Sequence, residues 1–373
     1  MRSLEQRLAA RLDARRRQNA FRQLRTSNPG VDFCSNDYLG YAKITFPASE
    51  SEGATGSRLI TGNSALAEKL EKELADFHGA EASLLFSSGY TANLGLLSCT
   101  VDRGDTILYD ELVHASIREG ILLARSLAYA FRHNDLASLR RKLKHAAGQV
   151  FIVVESVYSM DGDEPPLVEM AELARETGAA LIVDEAHATG VIGSQGRGLV
   201  SELGLEEEVW ARVHTFGKSL GAHGAAVLGS TQLRQFLINF CRPFIYTTAL
   251  PDSVLHRVYA AYQLLKEDRR SIRQLQENIA HFKEQLSAEA AGCFIPSRSP
   301  IQCLVLPGND RVKRLADQLQ GKGLYVLPIL HPTVRKGAER LRICLHAHNT
   351  KTDIDRLCLL LNELTQNIEA FRS

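Results

Sequence analysis

Apolar positions along the chain follow two alternating rhythms. Across residues 64–78 (SALAEKLEKELADFH), Leu66, Leu70, Leu74 and Phe77 recur on one stripe at helical spacing, which predicts an amphipathic helix. Asn63 is placed to cap its start, and Gly79 to end it in the left-handed conformation. Short apolar runs separate stretches of this kind: 82–86, 106–109, 150–155, 180–183 closing on Asp184, and 225–228. The run at 150–155 is continuous and too short for a helix, so it predicts a strand buried on both faces, as in a parallel sheet. Helices alternating with such strands predict an α/β layered domain with a largely parallel sheet.

The rhythm changes near residue 253, where a long amphipathic helix is predicted to about residue 290. Short strands at 301–306 and 340–345 and helices at 311–321 and 351–369 follow. This pattern predicts three parts: an N-terminal helix and arm over 1–45, a large domain over 46–262 and a small C-terminal α+β domain over 263–373. The first helix sets Leu4, Leu8 and Leu12 beside Arg15-Arg16-Arg17, an exposed basic face rather than a nucleic-acid arm. The sequence carries no internal repeat and no low-complexity tract.

Composition narrows the class without naming it. The chain has 373 residues, 45% of them hydrophobic and 23% charged, with a formal net charge of +1, as in ordinary globular proteins. That balance gives no electrostatic case for nucleic acid or an anionic membrane. No apolar run approaches the ~18–20 residues that span a bilayer, and the N-terminus lacks a leader pattern, so the cytoplasm is expected. Seven scattered cysteines without a C-x-x-C pair read as free thiols rather than a disulfide framework or a zinc site. His346 and His348 alternate onto one face, but no third ligand is evident and no metal is expected.

Candidate chemistry gathers at strand ends, where open α/β sheets place their ligands. Ser87-Ser88-Gly89-Tyr90 turns a strand into a helix and offers backbone N–H groups and a helix dipole to a phosphate; alone it reads more simply as an ordinary turn. Asp184-Glu185-Ala186-His187 puts a carboxylate at a buried strand end, where it needs a positive partner such as a protonated pyridine nitrogen. A solvated strand terminus is the simpler account. Lys218 lies between Thr215-Phe216-Gly217 and a glycine-rich loop before a buried strand. A partly desolvated lysine there can form a Schiff base and act as a base, although a lone lysine is ordinarily a surface charge. His114 follows a strand and could stack on a flat aromatic cofactor, or be a satisfied structural histidine.

The string Asp184-Glu185-Ala186-His187 also names a helicase box. That reading needs a phosphate loop G-x-x-x-x-G-K-[ST] upstream. Gly217-Lys218-Ser219 is present, but it lies downstream, and Arg212 occupies the position of the first glycine. Nucleotide hydrolysis fails on both counts.

Seven motifs in this order resemble the α-oxoamine synthases, a family of fold-type I pyridoxal-phosphate enzymes. They are Ser35-Asn36-Asp37-Tyr38-Leu39-Gly40, the stretch from Gly53 to Gly62, Phe86-Ser87-Ser88-Gly89-Tyr90-Thr91-Ala92-Asn93, Ser159-Met160-Asp161-Gly162-Asp163, the acidic string above, Thr215-Phe216-Gly217-Lys218 and Leu341-Arg342. The resemblance implies a seven-stranded, mostly parallel sheet between helices, and a homodimer with active sites shared between subunits. It implies that Lys218 holds pyridoxal 5′-phosphate as a Schiff base and removes the amino-acid α-proton. Asp184 would keep the pyridine nitrogen protonated, His114 would stack on the ring, and Ser159 and His187 would contact its phenolic oxygen. Ser88, Gly89, Tyr90 and Thr215 would bind the phosphate, with Thr247 and Thr248 reaching that of the partner subunit. Arg342, with Asn36, would pair with the amino-acid carboxylate.

The implied reaction is a decarboxylative condensation of a small amino acid with an acyl thioester. The Gly53 to Gly62 stretch and the compact N-terminus look most like the alanine-using member of the biotin pathway. L-alanine and pimeloyl-coenzyme A, or pimeloyl-acyl carrier protein, are then the expected substrates. A member joining glycine to acetyl-coenzyme A is the nearest alternative, and a catalytically silent subunit a more distant one, disfavoured by the presence of Lys218.

Overall fold

The computed structural model describes residues 3–24, 30–46 and 52–366. Twelve strands occur among them: β1 Val31–Asp32, β2 Ala82–Phe86, β3 Thr106–Asp110, β4 Leu127–Phe131, β5 Val150–Glu155, β6 Ala180–Asp184, β7 Val209–Thr215, β8 Ala225–Gly229, β9 Ile301–Val305, β10 Leu324–Tyr325, β11 Leu327–Ile329 and β12 Arg340–Cys344. They divide between two compact units. One comprises Asn36–Ser159 and Asp163–Ile272; the other comprises Met1–Ser35, Met160–Gly162 and Arg273–Ser373. The boundaries expected at 45 and 262 differ from this division. Position 262 lies inside the helix Asp252–Glu267, and the N-terminal stretch to Ser35 groups with the C-terminal segment.

The larger unit holds one seven-stranded sheet in the order β2-β8-β7-β6-β5-β3-β4. Only β8 runs against the direction of the other six strands, so the expected mostly parallel sheet is present. The strands are apolar because helices cover both faces. Leu84, Ile107, Phe151, Val153, Ile182, Val213 and Val227 are all buried, and each such side chain stabilises the fold by about 1.5–3 kcal/mol. Parallel register brings the C-terminal ends of β3, β5, β6 and β7 to one edge. There Asp110, Glu155, Asp184 and Thr215 end their strands, and Glu155 and Asp184 are direct partners.

Local details depart from the sequence pattern in four places. The helix Ala65–His78 is capped by Ser64, whose side chain accepts from the Ala67 N–H, rather than by Asn63; Gly79 ends it at φ 65° as expected. The long helix is broken. Asp252–Glu267 and Arg269–Gln285 are separate helices, and the carboxylate of Asp268 accepts from the Ser271 N–H at the start of the second. Strands β1, β4, β7, β10 and β11 were not anticipated. The first helix runs Leu4–Arg17, with Leu4, Leu8 and Leu12 all exposed.

In the other unit, β11-β12-β9 form an antiparallel sheet and β1 pairs with β10. The helix Asn309–Gly321 buries Val312, Leu315, Ala316 and Leu319. The helix Lys351–Gln366 begins where expected; residues 367–369 of the prediction lie outside the described residues. Arg340 of β12 donates to Asp161 Oδ1 at 2.5 Å, tying residues 160–162 into this unit.

Candidate active site

A cavity of ≈ 270 Å³ opens at the C-terminal edge of the seven-stranded sheet. Its wall includes Asn36, Ser88, Gly89, Tyr90, His114, Asp184, His187, Thr215 and Lys218, nine of the residues singled out from the sequence. Ser159 is not part of that wall; it is buried behind it, and its N–H donates to Glu155 Oε2 at 3.3 Å. Thr247 and Thr248 line a separate small cavity with Arg58 and Phe244. Arg342 belongs to the other unit, where it lies on the middle strand of the small sheet and donates to Cys344 Sγ.

The helix Gly89–Thr100 begins at the cavity, and its N-cap Ser88 accepts from the Thr91 N–H. A helix start leaves backbone donors unsatisfied and carries partial positive charge, which favours an anion. Gly89 is required there by space: a Cβ on it would sit 2.5 Å from Thr215 Cγ2.

Asp184 is buried, and its carboxylate is held on both oxygens. Asn93 Nδ2 donates to Oδ2 at 2.7 Å, and the Ala186 N–H to Oδ1 at 2.9 Å. The same Asn93 amide donates to Ser116 Oγ at 3.1 Å, and that hydroxyl lies 2.8 Å from His114 Nδ1. The Ser116 N–H also donates to Nδ1, so this nitrogen is the unprotonated one. Burial pushes the His114 pKa down; the Asp184 charge opposes the shift and that of Lys218 adds to it. His114 is therefore a neutral ring, suited to lie flat against an aromatic group. His187 is buried, with Nδ1 2.7 Å from the Tyr38 hydroxyl.

Lys218 is half-buried in the turn between β7 and β8. Phe216 N–H donates to Gly224 O, Ala222 N–H to Phe216 O, and Ser219 Oγ to Thr189 O. Gly221, at φ 56°, packs so tightly that a Cβ would lie 2.2 Å from the Ala42 nitrogen. These contacts fix the backbone that carries the lysine.

Two parts of the helicase-like pattern have structural duties instead. Glu185 is fully buried and accepts from the Leu199 and Val200 N–H groups. Arg212 is buried on β7 and donates to the carbonyls of His78 and Gly79.

Sequence reasoning gave no role to Tyr38, Asn93, Ser116, Glu155 or His223, of which all but Tyr38 line the cavity. Asn93 carried a usable signal, a polar amide set between Ala92 and the apolar run Leu94-Gly95-Leu96-Leu97. The cavity fits pyridoxal phosphate on its own evidence: an amine, a clamped carboxylate, a neutral imidazole and a helix start with room only for glycine.

Comparison with known proteins agrees. The sequence profile of the class I and II aminotransferases matches residues 28–361, and the chain belongs to this family. Its fold is that of the fold-type I pyridoxal-phosphate-dependent transferases. An 8-amino-7-oxononanoate synthase from Emericella nidulans is 41% identical, covering 91% of this chain and 90% of its own. One from Alcanivorax borkumensis is 38% identical, covering 97% and 99%. Among solved structures, the 8-amino-7-oxononanoate synthase of Francisella tularensis superposes with a TM-score of 0.78 at 28% identity, covering 92% of this chain and all of that one. A serine palmitoyltransferase from S. paucimobilis, solved with PLP and myriocin bound, gives 0.88 at 26% identity, covering 99% and 100%.

Proposed function

We propose that this chain condenses L-alanine with a pimeloyl thioester, carried on coenzyme A or acyl carrier protein, to give 8-amino-7-oxononanoate, CO₂ and the free thiol, a step of biotin synthesis. The observation that carries this reading is the convergence of Lys218, Asp184, His114 and His187 on one cavity, in a chain similar throughout its length to synthases of that name. Bound pyridoxal phosphate supplies an electron sink for a carbanion at the amino-acid α-carbon.

Lys218 Nζ would hold the cofactor covalently, and its free amine would serve as the base that takes the amino-acid α-proton. Asp184, fixed by Asn93, presents a negative charge that holds a proton on the pyridine nitrogen. His114 packs against the ring, while His187 and Ser159 serve its phenolic oxygen. Ser88, Gly89, Tyr90 and Thr215 hold the phosphate at the helix start. Arg342 and Asn36 take the amino-acid carboxylate, a planar anion suited to a guanidinium fork.

The working unit in this reading is a homodimer with shared sites. Thr247 and Thr248 lie away from the cavity of their own chain, which supports their service to a partner's phosphate. Ile60, Leu122 and Tyr246, each more than three-quarters exposed, supply apolar surface for the association. No described helix is long and apolar enough to cross a membrane, and the seven free thiols suit the cytoplasm.

Purified protein given L-alanine and pimeloyl-coenzyme A should release thiol and form a product of the mass of 8-amino-7-oxononanoate. No turnover there, with brisk turnover of glycine and acetyl-coenzyme A, overturns the assignment. Lys218→Ala should abolish turnover and the visible absorption of the bound cofactor.

A further inference from the structure

Two acids end neighbouring parallel strands at the cavity. Glu155 closes β5, Asp184 closes β6, and they are register partners on the same wall. Strands pair about 5 Å apart, so two ionised carboxylates there would repel strongly. Their surroundings differ. Asp184 receives the Asn93 amide and the Ala186 N–H. Glu155 receives the Ser159 N–H, on Oε2 at a long 3.3 Å, and is approached by the His114 N–H. Its Oε1 is buried and has no hydrogen-bond partner among the described residues.

A carboxylate oxygen without a donor is costly to bury, whereas a protonated one is itself a donor. We propose that Glu155 stands in the site as a neutral carboxylic acid, a positioning residue that leaves Asp184 as the sole ionised carboxylate of the pair. The proposal goes beyond the reaction assigned above and rests on Asp184 being the partner of the pyridine nitrogen.

The charged and titratable groups around Glu155 agree. Burial and then the Asp184 charge push its pKa up to about 8, while Lys218 and the N–H groups of His114 and Ser159 pull it down without cancelling the shift. Tyr158, on the loop after β5, is neutral as well, raised by burial and by the charges of Asp110 and Asp163. His114 is held neutral by burial. A neutral Glu155 avoids a second negative charge that would compete with Asp184 for the single cationic ring nitrogen.

Infrared difference spectroscopy of the holoenzyme, wild type against Glu155→Gln, tests this. At pH 7 the wild type should show the carbonyl stretch of a protonated carboxyl. The band should be missing from E155Q and fade from the wild type as pH rises through about 8. Because glutamine copies the neutral acid, E155Q should hold pyridoxal phosphate within about twofold of wild type at pH 7. It should also lack the alkaline step in visible absorption expected of the wild type. Absence of the band, or a folded E155Q with about tenfold weaker cofactor binding, overturns the proposal. The wild-type spectrum decides the protonation state even if E155Q does not fold. Asp184→Asn, measured in parallel, should weaken cofactor binding by more than about tenfold. Unchanged binding there removes the Asp184 premise independently of the band.

Discussion

The hydroxyl of Tyr38 lies 2.7 Å from Nδ1 of His187 and 3.1 Å from Oδ1 of Asn36. Its single proton points at the Asn36 oxygen, so His187 donates to it and the imidazole is held in one tautomer. Tyr38→Phe should keep the fold and lower kcat/KM about 3- to 10-fold, the worth of one ordinary hydrogen bond. Steady-state kinetics across pH would check this. An unchanged pH profile would reduce the contact to packing.

Asn93 links Asp184 to Ser116 and thence to His114. A hydrogen bond to a buried charge contributes about 1.5–3 kcal/mol, so Asn93→Ala should weaken cofactor binding by roughly tenfold or more. Titrating the apoenzyme with pyridoxal phosphate, followed by visible absorption, gives the number. Binding equal to wild type would show that Ala186 alone positions the carboxylate.

Gly89→Ala would set a methyl against Thr215 Cγ2. Overpacking of this kind costs about 1–3 kcal/mol, and here it also disturbs the donors at the helix start. The variant should lose stability and cofactor affinity together. Thr215→Ser on the same background removes the clashing methyl but keeps the hydroxyl, and should recover much of both. Failure to recover either would exclude steric crowding as the cause.

His133 is clamped between Asp110 Oδ1 at 2.9 Å and Asp163 Oδ2 at 2.7 Å. Burial opposes its charge, but the two carboxylates outweigh it and raise the pKa to about 10 from an ordinary 6.5. A histidine raised in this way contributes stability that is complete below pH 6.5 and lost as pH climbs through about 10. Urea unfolding should show wild type losing stability over that window and His133→Gln varying less, from a starting point about 2 kcal/mol lower. Parallel pH curves for the two proteins would count against the clamp.

What the sequence revealed of the site were residues in loops and turns. Lys218, His114 and His187 stood out because a charge or imidazole just past an apolar run asks for a partner. Glu155 stood at the end of a similar run and passed as its terminus; only the register with Asp184 shows that two acids share one wall. Asn93 and Ser116 act through other side chains, and nothing in a linear pattern says which carboxylate or ring lies across the gap. Two strands of the seven-stranded sheet were hidden for opposite reasons. Strand β7 carries the buried Arg212 and His214, which break its apolar run, and edge strand β4 leaves Leu127 and Tyr129 exposed. The helix break at Asp268 was written in the chain as an N-cap residue, masked by amphipathic spacing on both sides.

The antiparallel strand β8 has a consequence for chemistry. Because β7 and β8 are neighbours, the chain returns directly instead of crossing over through a helix, and Lys218 rides in a loop clamped at both ends. Folding has already removed the backbone freedom that a mobile lysine would have to lose, so in the proposed reaction the amine would begin every cycle in place. The same rigidity makes residues 216–224 the stretch least tolerant of insertion. One added residue there would carry the nitrogen away from the carboxylate and imidazole that share its cavity.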